Sequence, residues 1–363
     1  VRDPDFPGYV FTKHPDGDGS KGTQRVLHML ETGDPTVMRG IVDDGFEMNF
    51  GDIAASGFVS GKIVITQIVD IFGLGEEAKQ QKEVILRQIG LRVAELLDLY
   101  RKNGFDICFF TGGETADLPN QVSSMVYNAD FYTRTREKNI ITGDAVQAGD
   151  VIYGFASTGR AAWETEYNFG LMSNGSTQAR LFLMSEEYNE KYPRLVGFGK
   201  PYQGRFRVTD PFPGREDVTV SQALLSPTRN WSLVIKMIID KCKERGIFDK
   251  IHGISLNTGG GATKIQHVGQ GIIYEKEMPY PPELFELIRE ESGDDWNNMF
   301  ESFNCGIGID VIGENHPELE NALVDIAAKT KIRLFPLGYC RKNSNPAKNK
   351  IILKTPFGTF DNY

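Results

Sequence analysis

Glu114 and Asp117 stand three residues apart in the stretch TGGETADLPN, directly after the apolar run FDICFF. Paired glycines at the end of a strand permit backbone conformations and close approaches closed to other residues. A carboxylate presented beyond them accepts hydrogen bonds or holds a hard cation. A second acidic stretch, DGDGSKGT at residues 16–23, combines Asp16, Gly17, Gly19, Ser20 and Lys21 at a strand-to-helix junction. It begins like an EF-hand loop but lacks glycine at the sixth position and an acid at the twelfth, where Leu27 stands. It is not a Walker A loop either. Two readings stay open: a solvated turn, or carboxylates holding Mg²⁺ while Lys21 and backbone N–H groups meet phosphate oxygens. A third acid, Asp52 in MNFGDIAASG, sits towards the end of an apolar helix that also carries Asn49. An ionised carboxylate in such surroundings needs a cation or several donors.

The second half repeats this vocabulary in MSNGSTQAR, LLSPTRNW and IHGISLNTGGGATKI. Gly259, Gly260 and Gly261 between a strand and an expected helix allow an anion close to the backbone, with Lys264 nearby. A flexible turn is the alternative. Pro227 suits a helix start, and Arg229 can pair with a phosphate or with an acid. His252 opens the strand before the glycines; a lone histidine is more often structural than catalytic. The stretch GLGEEA at residues 73–78 matches a dinucleotide fingerprint, but Glu76 and Glu77 in the first helical turn repel a pyrophosphate. A plain strand-to-helix turn is expected there.

The elements that must position these groups alternate. GYVFTKHPDG is expected as an extended segment, then a helix that Gly33 stops, then a helix over about 34–56. GKIVITQIVDIF follows as a β-branched strand. Apolar residues at Ile85, Ile89, Val93, Leu96, Leu97 and Tyr100 mark one face of a long helix over 76–103. FDICFF and SSMVYNADFYTRTRE read as strands. A polar passage then separates an expected domain 1–145 from a second over 146–363. The latter restarts with DVIYGFAS and alternates helices near 230–245, 281–292 and 316–329 with the strands FNCGIGIDVI and KIRLFPLGY. Residues 159–214 are read as helices joined by long loops. The fold class is therefore α/β with mixed sheets in two domains.

The chain has 363 residues, 40% of them hydrophobic, and a net charge of −9 without basic clusters, which excludes a phosphate-backbone partner such as nucleic acid. No run reaches the roughly 20 apolar residues of a membrane span. Cys108, Cys242, Cys305 and Cys340 lack zinc spacing, so reduced thiols in a cytoplasmic protein are expected.

Taken in order, these motifs resemble those of aminoimidazole ribonucleotide synthetase, the phosphoribosylformylglycinamidine cyclo-ligase family. DGDGSK resembles the family's D-G-V-G-T-K, GDIAASGF its N-D-L-x-x-x-G-A, and GGETADLP its G-G-E-T-A-E-M-P. AGDVI, SNG, LSPTR, HGISLNTGGG and FNCGIG complete a collinear set over nearly the whole chain. The resemblance implies a homodimer whose amino-terminal domains build a shared β-barrel, with ATP and substrate in a cleft along the domain junction. It implies ATP-dependent ring closure of formylglycinamidine ribonucleotide, with Mg²⁺ as cofactor. By this resemblance Glu114, Lys21 and Asp52 are expected to be catalytic, and Asp16, Asp52 and Glu114 to hold metal. Binding roles are expected for Gly17, Gly19, Ser20, Gly112, Gly113, Thr115, Ser173, Asn174, Gly175, Thr228, Arg229, His252, Thr258, Gly259, Gly260, Gly261, Lys264 and Asn304. The family's two histidines are replaced, one by Met172 and one near Leu256, and Lys264 stands where an acid is usual. Proton movement is accordingly expected to rest on Glu114, substrate phosphates or water. A superfamily relative such as a thiamine-phosphate kinase, or a non-catalytic nucleotide-binding protein, is the alternative.

Overall fold

The computed structural model describes residues 1–74, 81–109, 112–196 and 200–363. The first sheet contains β1 (Tyr9–Gly17), β2 (Lys62–Phe72), β3 (Asp106–Phe109), β4 (Gly113–Asp117) and β5 (Met125–Arg136), in the order β1-β5-β2-β3 with β4 also on β2. β5 runs antiparallel to β1 and β2, whereas β3 and β4 run parallel to β2. Helix α1 (Lys21–Thr32) is closed by Gly33 at φ 72°, whose N–H donates to the Met29 carbonyl, so the glycine stop falls where the sequence places it.

The helix expected from residue 34 is divided. Pro35–Arg39 forms a 3-10 turn capped by Asp34, which accepts from Thr36 N at 2.8 Å, and α2 (Gly40–Ala55) begins only afterwards. The long helix α3 spans Lys82–Lys102 and buries Ile85, Ile89, Leu96, Leu97 and Tyr100, the face its periodicity marks. Its expected start at residue 76, with Glu76 and Glu77, lies outside the described residues.

The second sheet has seven strands in the order β14-β13-β10-β12-β6-β11-β9. They are β6 (Val151–Ala156), β9 (Ile251–Leu256), β10 (Ile272–Glu277), β11 (Ile307–Gly313), β12 (Leu334–Lys342), β13 (Lys350–Thr355) and β14 (Gly358–Phe360); the short β7 (Pro211–Phe212) and β8 (Arg215–Thr219) pair separately. The sheet is mixed: β10 and β13 are parallel, and β10–β12, β12–β6, β6–β11 and β11–β9 are antiparallel. The helices Trp231–Glu244, Glu283–Ser292 and Pro317–Thr330 fall where the sequence places them.

Helix α2 joins the two layers. One side packs on β1 and β5, the other on β9 and the Trp231–Glu244 helix. A helix covered on both sides must be apolar nearly all round, and 13 of the 16 residues of α2 are buried. The buried set includes Asp43, Asp44, Glu47 and Asn49, so each of these polar groups needs an internal partner.

Candidate functional site

Asp44 is the hub between the halves. Its Oδ1 accepts from Lys21 Nζ at 3.0 Å and from Thr228 N and Oγ1, both at 2.8 Å; its Oδ2 accepts from Arg25 Nη2 at 2.6 Å. Burial pushes the Asp44 carboxyl upward, but Lys21 and Arg25 outweigh it and hold the group below the usual carboxylate range. One turn later, Glu47 accepts from Tyr100 Oη and Ser232 Oγ, both at 2.6 Å, and from Ser232 N at 3.1 Å. Ser232 lies in the first turn of the Trp231–Glu244 helix, so a carboxylate from α2 satisfies an amino-terminal N–H there. A further turn on, a Cβ at Gly51 would lie 2.7 Å from the Leu256 methyl, so glycine lets α2 sit against β9.

Several residues expected to meet ligand are held internally in this network. Lys21 is buried and uses its three N–H donors on Asp44, the Met172 carbonyl and the Ser226 carbonyl, leaving none for a phosphate. Arg229 is held by both oxygens of Glu164 and by the carbonyls of Ala156, Thr158 and Gly159. Thr228 is committed to Asp44 and to Ser173 Oγ at 3.1 Å. His252 is buried, with Nδ1 2.7 Å from Asp150 Oδ2. Asn304, also buried, bridges Ser157, Gly306 and the Gly170 carbonyl. These residues hold the loops that carry the motifs.

The loops do converge. Ser20 Oγ lies 3.0 Å from Ser176 Oγ, so the acidic turn after β1 touches the helix that follows SNG. Asn174 donates to the Ser302 carbonyl at 2.5 Å, and Gly175 sits at φ 71° where a Cβ would strike the Phe303 ring. Gly260 and Gly261 hold φ 90° and 53°. Gly261 lies against the Phe303 backbone, whose carbonyl accepts from Ala262 N at 3.0 Å, while Gly259 faces open space. After Gly261 the expected helix is a 3-10 stretch, Gly261–His267.

Beside that stretch lies a cavity of about 380 Å³, lined by Thr12, His14, Asp52, Ser56, Ser255, Lys264 and His267 above an apolar floor of Ile53, Phe58, Ile254 and Leu256. Lys264 Nζ is 3.4 Å from Asp52 Oδ1 and 2.8 Å from Thr258 Oγ1. The acid of α2 and the lysine after the glycines thus meet across the two halves. His14 and His267 belong to no motif, and no pattern in the sequence marks them. Met172, which stands where the resembling family has histidine, is buried at φ 61°, and Leu256, near the second such position, packs at Gly51.

The paired glycines before Glu114 have a structural cause. β3 pairs with β2 over Lys62–Ile65 and β4 with Ile68–Phe72, on either side of an irregularity between Ile65 and Gln67. A Cβ at Gly113, at φ 155°, would overlap the Ile68 carbonyl, and one at Gly112 would lie 2.8 Å from the Thr66 carbonyl. The glycines let the chain rejoin the same edge of β2, and Glu114 and Thr115 emerge exposed beyond them. Asp117 pairs with Lys82 at 2.8 Å. Gly113→Ala is expected to cost about 1–3 kcal/mol through this clash, read as a lower urea midpoint; an unchanged midpoint would remove the close approach as the reason for glycine.

Asp16, Asp52 and Glu114 do not gather into a metal site. Across the sheet Asp16 pairs with Ala129, Ala129 with Ile68 and Ile68 with Gly113, which sets Asp16 and Glu114 three strand spacings apart, roughly 14 Å. Asp16 accepts from the adjacent Gly17 N at 2.7 Å, and Asp52 faces Lys264. Among the described residues no group of three or more His, Cys, Asp or Glu side chains could hold a metal ion. The residues present therefore do not fit a protein-bound Mg²⁺ at these three acids.

No family model matches the chain. A phosphoribosylformylglycinamidine cyclo-ligase of Geotalea daltonii is 30% identical over 226 residues, covering 61% of this chain and 54% of the relative. Another, of Methanosarcina mazei, is 26% identical over 309 residues, covering 85% and 75%. By sequence the chain is a relative of these cyclo-ligases. It spans about half the length of the curated relatives matched first. Among solved structures, T. maritima PurL complexed with FGAR aligns at TM-score 0.54 and 12% identity, over 97% of this chain and 45% of that one. The hydrogenase maturation protein HypE in complex with ATP aligns at TM-score 0.54 and 12% identity, over 99% and 86%. At such identities the likeness concerns the fold, which is the mixed α/β, AIR-synthase-like one. No described helix is long and apolar enough to cross a membrane.

Proposed function

We propose that this chain catalyses the ATP-dependent closure of formylglycinamidine ribonucleotide to aminoimidazole ribonucleotide, a ligase step of purine biosynthesis. The observation that carries the reading is the convergence, around α2, of loops bearing the motifs shared with the cyclo-ligases. In this reading ATP phosphorylates the formyl amide oxygen, the amidine nitrogen attacks the activated carbon, and phosphate leaves. The cavity beside Asp52 and Lys264, the open backbone at Gly259, the exposed stretch from Gly112 to Thr115, and Ser20 beside Ser176 are the surfaces for ATP and substrate. Lys264 stabilises negative charge, and Glu114 orients substrate. Magnesium enters as the counter-ion of the polyphosphate.

The working unit in this reading is a homodimer joined through the first sheet, with the domain boundary at residues 145/146 and the enzyme in the cytoplasm, which suits four free cysteines. A nucleotide-binding protein without turnover is the second reading, favoured by Met172 and Leu256 in place of histidines.

The purified full-length protein, given ATP and magnesium, is expected to release one ADP per ring closed, many-fold faster with formylglycinamidine ribonucleotide than without it. Equal ATP hydrolysis with and without that substrate would end the ligase reading. Glu114→Gln is expected to lower kcat roughly 10²-fold at saturating magnesium; an unaltered kcat would return Glu114 to the surface.

A further inference from the structure

We infer that His14 is the proton acceptor of the cavity beside Asp52 and Lys264, with its ring tautomer fixed by Asn49. The inference rests on the reading above for the identity of the donor, an amidine. It rests on hydrogen bonds within this chain for the acceptor.

Asn49 is fully buried on α2. Its Nδ2 donates to the Asp16 carbonyl at 3.0 Å and to the Gly45 carbonyl at 2.8 Å. Both amide hydrogens are thereby used, and the opposite orientation would set the amide oxygen against two carbonyl oxygens. The atom 3.2 Å from His14 Nδ1 is therefore Asn49 Oδ1, which can only accept. Nδ1 must carry the hydrogen, and the neutral ring keeps its lone pair on Nε2. A packed helix thus sets which nitrogen of a strand residue is basic.

His14 lines the same cavity as Asp52 and Lys264. His14, whose remaining acceptor is Nε2, and Asp52 both line it, beside one ammonium group engaged by Asp52 and Thr258. Such a lining suits a ligand that presents N–H donors, and an amidine is that class. During ring closure the amidine nitrogen forms the bond to the activated carbon, and its proton passes to His14 Nε2. The carbon–oxygen bond breaks, phosphate leaves with the electron pair, and the imidazolium then returns its proton to water. His14 supplies an imidazole that neither Met172 nor Leu256 can.

The test uses the full chain and two independent arms. Histidine side-chain ¹H–¹⁵N spectra of the free protein are expected to show the Nδ1–H tautomer for His14, with the Nε2 signal moving when acetamidine is added. An Nε2–H tautomer, or no response of His14 to acetamidine, overturns the inference whether or not the protein turns over. In turnover, His14→Gln is expected to lower kcat about 10²- to 10³-fold with KM for ATP within a few-fold, and imidazole in solution is expected to restore part of kcat in His14→Ala. Full kcat in His14→Gln also overturns it. Absence of ring closure by the unaltered protein would instead fall on the ligase reading, and the spectra would still decide on His14.

Discussion

Asp44→Asn is expected to destabilise the protein by about 3–5 kcal/mol, the cost of leaving buried cations without their partner. Lys21 and Arg25 are each only 1–2% exposed and converge on this one carboxylate, which is itself fully buried. Asparagine keeps the shape but removes the charge, and with its oxygen kept on Lys21 and Thr228 its amide hydrogens would meet the Arg25 guanidinium. Because Asp44 ties α1 and α2 to residues 226–228, the loss falls on the junction of the two sheets as well as on the first one. Urea unfolding of the full chain measures it, and Lys21→Met in the same background is expected to recover part of the loss by removing one orphaned charge. A midpoint that hardly moves would mean that the junction is held by apolar packing alone.

Stability is expected to fall as pH rises from about 4 to about 8, and Asp18 is the main cause. Its carboxyl is fully buried, with Oδ1 accepting from Tyr127 N at 3.2 Å. Burial, and then the negative charge of Asp44, push its pKa from 3.8 up to about 8. Burial likewise pushes Glu47 up to about 7 and Asp70 up to about 6. A folded-state pKa above the unfolded value means that folding takes up protons, so this contribution is complete below the ordinary carboxylate pKa and is lost as pH climbs through the folded value. Lys21, which burial lowers to about 8, acts only above that window, where its effect has the opposite sign. Asp18→Asn mimics the protonated acid. It is expected to unfold like the parent only below about pH 4 and to be increasingly more stable than the parent as pH rises to 8, by about 2 kcal/mol or more there. Parallel pH profiles for the two proteins would show that Asp18 is ionised in the fold at neutral pH.

The acids that matter most for these predictions, Asp18, Asp44 and Glu47, are inconspicuous in the sequence. Asp18 stands where the resembling family has valine, and Asp44 and Glu47 look like the polar face of a helix. Nothing local distinguishes a solvated acid from one that a second layer will cover. For Asp44 and Glu47 the cover comes from residues 226–232, and Asp18 is held by Tyr127 of β5; these segments lie far along the chain, and only packing brings them there.

The sequence by itself determined the longer helices and the strands β1, β2, β3, β5, β6, β9, β11 and β12, whereas β10, β13 and β14 were not expected, and the helices expected over 34–56 and after Gly261 are divided and 3-10 respectively. β-branched runs, a 3.6-residue apolar period and Gly33 as a stop are local signals, written within a few residues of where they act. It also determined the relationship to the cyclo-ligases, because motif order survives at low identity. The edge strand Gly113–Asp117 was not legible, since an exposed Gly-Glu-Thr-Ala-Asp run has no apolar pattern and owes its pairing to β2. The tertiary structure alone decided which motif residues are held internally, as Lys21, Arg229, His252 and Asn304 are, and which face a cavity, as Asp52 and Lys264 do. It also placed His14 and His267 beside that pair. Hydrogen-bond capacity is finite and burial is a property of the whole fold, so whether a lysine meets a phosphate or three internal acceptors is settled only when distant segments pack.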